Sequence, residues 1–327
     1  NSAPSLQKNN RKKVIIFSLV AFLILIACFS FFWFSGFFEK PNKTTGNEAS
    51  SFGLASASTQ LTEELPKDKN LPDIHVTAGL VKELGASDSL FLYRPRARWP
   101  IASISKLMAA VVAKDQFDVS TILTVTQDAV DTEGTSGNLK VGEKYSIADL
   151  IKLMLTVSSN DATMLIAQHY DESKLGKENY EKALSKTALF TGLMQQKARE
   201  LGLNETYFGE PTGLSMINQS VVGDLAVMAS YIQSTYPELF VITTNAKNTV
   251  LERKRMARRT ETNINPFAGQ KGFLGGKTGF TDEAGQGLLS LFEINGKKYL
   301  TIVLGTEDRA GETIKLRDWI KNEVLKK

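Results

Sequence analysis

Ser103-Ile104-Ser105-Lys106 sets a hydroxyl and an amine three residues apart at the head of an apolar stretch. On a helix, residues i and i+3 share one face. A serine in the first turn also keeps a backbone N–H without an intrahelical partner, aimed where an oxyanion could form. A lysine among apolar neighbours such as Leu107 and Met108 loses hydration, so its pKa falls and it can act as a base toward serine. The same spacing recurs in Ser5-Leu6-Gln7-Lys8, inside a polar tail. Spacing alone therefore leaves open a plain polar cap followed by a surface lysine.

Two other groups of residues bear on the choice. Lys277-Thr278-Gly279 follows Gly275-Gly276 where a strand should begin. An edge strand can take up an extended peptide as one more strand. Gly279 clears room for the peptide backbone, while Lys277 and Thr278 offer a charge and a hydroxyl suited to a carboxylate. An ordinary glycine-rich turn into a strand reads the same way. Ser-x-Asn occurs twice, as Ser136-Gly137-Asn138 in a polar loop and as Ser158-Ser159-Asn160 between the apolar runs "LIKLMLTV" and "DATMLIAQ". A short loop pinned between buried helices holds side chains rigidly, which selects Ser158 and Asn160; the first loop then only connects elements.

The rest of the composition narrows the chemistry. Cys28 is the single cysteine, so no intramolecular disulfide can form. His75 and His169 lie far apart, with no metal-ligand spacing and no G-x-S-x-G elbow nearby. Hydrolysis without histidine, metal or cofactor is the expectation. The net charge of +4, from 39 Lys and Arg against 35 Asp and Glu, says little about partners. The basic run Arg253–Arg259 reads as a solvated hairpin face rather than a nucleic-acid site.

The elements that must position these residues fall into four segments. Residues 1–13 form a cytoplasmic tail, and Val14–Phe38 holds no charge and spans roughly 37 Å as a helix, enough for a transmembrane anchor. Lys8, Arg11, Lys12 and Lys13 before it place the tail in the cytoplasm and everything after Glu39 outside. Residues 39–70 read as a flexible linker, and 71–327 as one folded domain. In that domain a hairpin around Gly85–Asp88 comes first. Helices follow over Ser103–Lys114, Ser146–Thr156, Asp161–His169, Glu178–Leu201 (one helix or two) and Ser220–Gln233. The strands Gly287–Ile294 and Lys298–Leu304 turn at Asn295-Gly296, and an amphipathic helix runs near Glu312–Leu325. Strands at both ends with helices between predict an α+β fold, one antiparallel sheet covered by helices.

Ser-x-x-Lys, Ser-x-Asn and Lys-Thr-Gly in this order are the motifs of β-lactamases and penicillin-binding proteins. In "PIASISKLM", "SIADLIKLMLTVSSNDA", "KARELGLNETYFGEPTGL" and "GGKTGFTDEAG" the chain closely resembles the serine D-alanyl-D-alanine carboxypeptidases, the low-molecular-mass penicillin-binding proteins of peptidase family S11. The resemblance covers about Val76 to the C-terminus. It implies a β-lactamase/transpeptidase-like fold and carboxypeptidase action on peptidoglycan stem peptides, with β-lactams as covalent inhibitors. Carried over by motif, it implies Ser103 as acylated nucleophile, Lys106 as its base, Ser158 as proton relay and Asn160 as positioner of Lys106 and the substrate amide. Lys277 and Thr278 would hold the substrate carboxylate, with Arg309 assisting, and the N–H groups of Ser103 and Phe280 beside Gly279 would form the oxyanion hole. The β-rich second domain and C-terminal anchor of many members are not seen in the sequence, which keeps a D,D-endopeptidase in play. Two further readings are a non-catalytic wall-binding protein and a class A-like β-lactamase. The latter would need Glu200 of Glu200–Asn204 as its deacylating base, whereas Glu200 reads as a solvated residue closing a helix.

Overall fold

The computed structural model describes residues 71–134 and 137–324. Seven strands and seven helices matter for the site. The strands are β1 (Ala78–Glu83), β2 (Phe91–Tyr93), β3 (Lys247–Glu252), β4 (Ala257–Thr262), β5 (Phe273–Thr281), β6 (Gly285–Ile294) and β7 (Lys297–Thr306). The helices are α1 (Lys106–Gln116), α2 (Ile147–Thr156), α3 (Asn160–Leu175), α4 (Ala188–Glu200), α5 (Val222–Thr235), α6 (Pro237–Thr244) and α7 (Arg309–Trp319).

One antiparallel sheet runs in the order β2-β1-β7-β6-β5, so strands from the two ends of the domain pair at its centre. Successive side chains of a strand point to opposite faces, and both faces are buried here. Leu300, Ile302 and Leu304 of β7 join the large core of α1 to α6, whereas Tyr299 and Val303 join a second core with Phe267, Leu316 and Ile320. The result is three layers: a helical body, the sheet, and α7 with its flanking segments. That places β5 at an open edge of the sheet.

Helix α1 is apolar all round, and every residue from Lys106 to Ala113 is buried. A helix with no polar stripe belongs inside a body of helices, and α1 packs against α2, α3 and α4. Local signals set the ends of its neighbours. Ser146 caps α2 by accepting from the Asp149 N–H at 3.2 Å, and Ser159 caps α3 by accepting from the Ala162 N–H at 3.0 Å. Asn295 (φ 50°) and Gly296 (φ 75°) make the tight turn between β6 and β7.

Several expected boundaries move. Ala102–Ser105 is a 3₁₀ turn and the α-helix begins only at Lys106. Helix α3 runs on to Leu175, where Gly176 (φ 74°) ends it. The span Glu178–Leu201 is two helices, Lys177–Lys182 and α4. Helix α6, opened by Pro237, and the two small ribbons Trp99–Pro100/Gln219–Ser220 and Ile122–Thr124/Lys144–Ser146 were not expected. The Arg253–Arg259 run is indeed the turn of a hairpin, β3–β4. Part of the run is paired as well as solvated, Arg255 with Glu143 and Glu252 and Arg259 with Glu261, while Lys254 and Arg258 are exposed. The expected tail, anchor and linker lie outside the described residues. Among the described residues no helix is long and apolar enough to cross a membrane.

Candidate active site

The 3₁₀ turn explains how Ser103 and Lys106 meet. At three residues per turn, side chains i and i+3 eclipse, more directly than on an α-helix. Lys106 Nζ donates to Ser103 Oγ at 2.8 Å and to the Thr212 carbonyl at 2.5 Å. Lys106 is fully buried at the head of α1, and burial pushes its amine down to about 7 against the opposing charges of Glu210 and Asp161. Ser103, by contrast, is only half-buried and can be reached from outside. The polar-cap alternative required an exposed lysine; this lysine has lost its water.

Tight backbone contacts hold the turn. Ala102 has φ 45°, a left-handed conformation that costs a residue with a side chain of order 1–3 kcal/mol. Two glycines make it possible. A Cβ on Gly213 (φ 85°) would lie 2.0 Å from the Ala102 carbonyl oxygen, and one on Gly279 would lie 2.6 Å from that of Ile101. The Thr212–Leu214 segment and strand β5 thus press on the peptide units just before the nucleophile.

The other wall of the site is β5. Lys277, Thr278 and Gly279 lie in the interior of this strand rather than at its start. Lys277 is buried, and its Nζ donates to Ser158 Oγ at 3.0 Å and to the Thr278 carbonyl at 2.9 Å. Burial pushes this amine well below the usual lysine range, and the charges of Lys106 and Arg309 push it further. Arg309, first residue of α7, donates to the Gly279 carbonyl at 3.0 Å. Phe280 is exposed at the strand end beyond Gly279.

Ser158 sits between α2 and α3 with φ 60°, a second strained backbone position, and is buried. Asn160 is buried too; its Nδ2 donates to the Glu133 carbonyl at 2.8 Å, while its Oδ1 has no hydrogen-bond partner among the described residues. An unsatisfied buried acceptor costs about 1–3 kcal/mol, a cost that a ligand N–H placed there removes. The structure therefore brings Ser103, Lys106, Ser158, Lys277, Thr278, Gly279 and Arg309 to one cleft between the helical body and the sheet edge, with Asn160 beside Ser158.

The other Ser-x-Asn loop does more than connect elements. Ser136 lies outside the described residues, but the Gly137 and Leu139 N–H groups donate to Asp161 at 2.7 and 3.1 Å. Arg259 of β4 donates to the Gly137 and Asn138 carbonyls. Asp161 therefore straps this loop to the head of α3, and Arg259 straps it to β4. Sequence reasoning missed these two residues and the Glu210–Ser215 turn, because their partners lie far off in the chain. Glu200 ends α4, exposed and bound to Gln196 and Lys197.

The amine within reach of the serine hydroxyl belongs to a lysine, and that Ser-x-x-Lys pairing is the one found in penicillin-binding proteins and β-lactamases. Residues 68–308 match the family described as Peptidase S11, D-alanyl-D-alanine carboxypeptidase, and the chain belongs to that family. It is 29% identical over 276 residues to a D-alanyl-D-alanine endopeptidase of Pseudomonas aeruginosa, covering 81% of this chain and 84% of the relative. To the D-alanyl-D-alanine carboxypeptidase DacA of Haemophilus influenzae it is 25% identical, over 83% of this chain and 68% of the relative. The crystal structure of a Streptomyces DD-transpeptidase superposes with a TM-score of 0.67 at 23% identity, covering 76% of this chain and 97% of that one. At that identity the likeness shows the shared fold, an antiparallel sheet covered by helices.

Proposed function

We propose that this protein hydrolyses the D-alanyl-D-alanine bond of peptidoglycan stem peptides as a carboxypeptidase, through an acyl-enzyme on Ser103. One observation carries the reading: a fully buried lysine, its amine at about 7, lies 2.8 Å from a reachable serine hydroxyl. A base of that pKa is half neutral near neutral pH and suited to proton transfer.

Lys106 takes the Ser103 proton as Oγ attacks the penultimate D-alanyl carbonyl carbon. The N–H groups of Ser103 and Phe280 receive the oxyanion. Collapse breaks the C–N bond, and the leaving D-alanine nitrogen takes the proton from Lys106 by way of Ser158 Oγ. Water then attacks the ester, Lys106 accepts its proton, and Ser103 Oγ recovers a proton as the shortened peptide leaves with a new carboxylate. Asn160 Oδ1 accepts from the substrate amide, and Lys277, Thr278 and Arg309 hold the terminal carboxylate. A β-lactam presents a comparable carbonyl and carboxylate and acylates the same serine.

The endopeptidase reading has support of its own: the Pseudomonas relative bears that name and is matched over 84% of its length, against 68% for DacA. The two reactions differ only in what hangs on the leaving nitrogen. Purified protein given a pentapeptide and a cross-linked dimer decides between them. Release of free D-alanine from the pentapeptide with the dimer intact is the expected result; cleavage of the dimer alone makes it an endopeptidase. No turnover of either, with no penicillin label on Ser103, would leave a wall-binding protein.

The site of action stands on the sequence. The uncharged run Val14–Phe38 behind four basic residues supports a single membrane anchor with the domain from residue 71 held outside by the 39–70 linker. Protease added to spheroplasts should digest that domain; protection would overturn the placement.

A further inference from the structure

Glu210 precedes Pro211 and a tight turn. Its carboxylate accepts from the Thr212 N–H and Thr212 hydroxyl (2.6 Å each), the Gly213 N–H (2.5 Å) and the Ser215 N–H (3.3 Å). Buried Asn218 pins the same segment: it donates to the Glu210 carbonyl at 2.8 Å and to Ser105 Oγ at 3.0 Å. The turn so folded delivers the Thr212 carbonyl to Lys106 Nζ and packs Gly213 against the peptide units ahead of Ser103.

We propose that Glu210 is a positioning residue for Lys106: its carboxylate folds the turn that holds the Thr212 carbonyl on Nζ and supplies the main negative charge this amine faces. The inference rests on the acyl-enzyme reading above. The groups facing Lys106 are Glu210 and Asp161 on the negative side and Lys277, backed by Arg309, on the positive. Asp161 is engaged with the Gly137 and Leu139 N–H groups. Glu210 is held by N–H groups and one hydroxyl, which fix its carboxylate beside the turn. Burial drives Lys106 down, which alone would make it a weaker base; Glu210, with Asp161 second, raises it back toward neutral pH, where a general base works best.

The test is the pH dependence of Ser103 acylation by a fluorescent penicillin, with the Lys106 titration read directly by carbon NMR of labelled lysine in the full-length protein. Acylation needs neutral Lys106, so its rate rises with pH through the lysine's pKa. Glu210→Gln removes the charge at nearly constant shape, and both the acid limb and the NMR midpoint should move to lower pH by about one unit, the low end of what a neighbouring opposite charge produces. Glu210→Asp draws the carboxylate back by one methylene and should move both in the same direction by less, so it carries the test should the glutamine variant not fold. Identical midpoints in wild type and folded variants, with only the plateau rate lowered, would make Glu210 merely structural and overturn the proposal. Because the NMR midpoint needs no turnover, a protein that takes no penicillin yet shifts its Lys106 titration would keep the proposal and lose the acyl-enzyme reading.

Discussion

The two walls of the cleft each carry a fully buried lysine, and the two lysines differ in what surrounds them. Lys106, on the helical wall, faces Glu210 and Asp161 and stands at about 7. Lys277, on the strand wall, faces Lys106 and Arg309 and is driven well below the lysine range. Dehydration acts on both alike; the neighbours divide their work. One lysine gains an electrostatic counterweight that keeps it a usable base. The other is left in a field of positive charge that an incoming carboxylate relieves. On the proposed reading, the helical wall would move protons and the strand wall would receive an anion.

The sharpest way to break this comparison is Lys106→Met, which keeps the length of the side chain and discards the amine. The change leaves the Thr212 carbonyl without its Lys106 donor, which costs about 1–3 kcal/mol of stability. Penicillin labelling of Ser103 should disappear while the circular dichroism spectrum stays that of the folded protein and the thermal melt falls by a few degrees. A variant that still labels would remove Lys106 as the base.

Ser158→Ala comes next, with a loss of acylation rate of about 10²–10⁴-fold, the range for a positioned proton-transfer group. Ser136→Ala should leave turnover nearly intact. The reverse ranking, read from stopped-flow acylation, would move the relay to the other Ser-x-Asn loop.

Lys277→Gln should raise KM for a D-alanyl-D-alanine peptide about 10- to 100-fold with kcat less affected, as a lost charge-assisted hydrogen bond of about 1.5–3 kcal/mol implies. The sign of its pH dependence follows from the lowered pKa. Burial in the empty site disfavours the Lys277 ammonium and a bound carboxylate favours it, so binding takes up protons and weakens as pH rises. Calorimetry in buffers of different ionisation enthalpy measures that uptake; it should vanish in the glutamine variant. Binding without proton uptake in the wild type would sink this account of the strand wall.

The smallest expected effect lies outside both walls. Glu200→Gln should change neither peptide turnover nor the lifetime of the penicillin adduct, which should persist for minutes. Rapid clearance of penicillin by wild type and a trapped adduct in the variant would make this a β-lactamase.

The elements legible in the sequence were those encoded by neighbours in the chain. The apolar stretch after Ser103, the helix from Ser146 and the Asn295-Gly296 turn all depend on contacts a few residues long. The choice of Ser158 over Ser136 was also local, since two apolar helices flank the first and none flank the second. Chain order and local text likewise supplied the family, because Ser103-x-x-Lys106, Ser158-x-Asn160 and Lys277-Thr278-Gly279 are each contiguous.

Tertiary structure decided what those residues do to one another. No local pattern announces that Ala102 adopts a positive φ or that the helix starts three residues late. There Gly213 and Gly279, more than a hundred residues away, approach closely the two peptide units on either side of Ala102. The edge position of β5 depends on β1 pairing with β7 across the whole domain. The contrast between the two lysines depends on which charges folding brings beside each. Motifs record the side chains; a pKa records the field of everything packed around them, and that field exists only once the chain is folded.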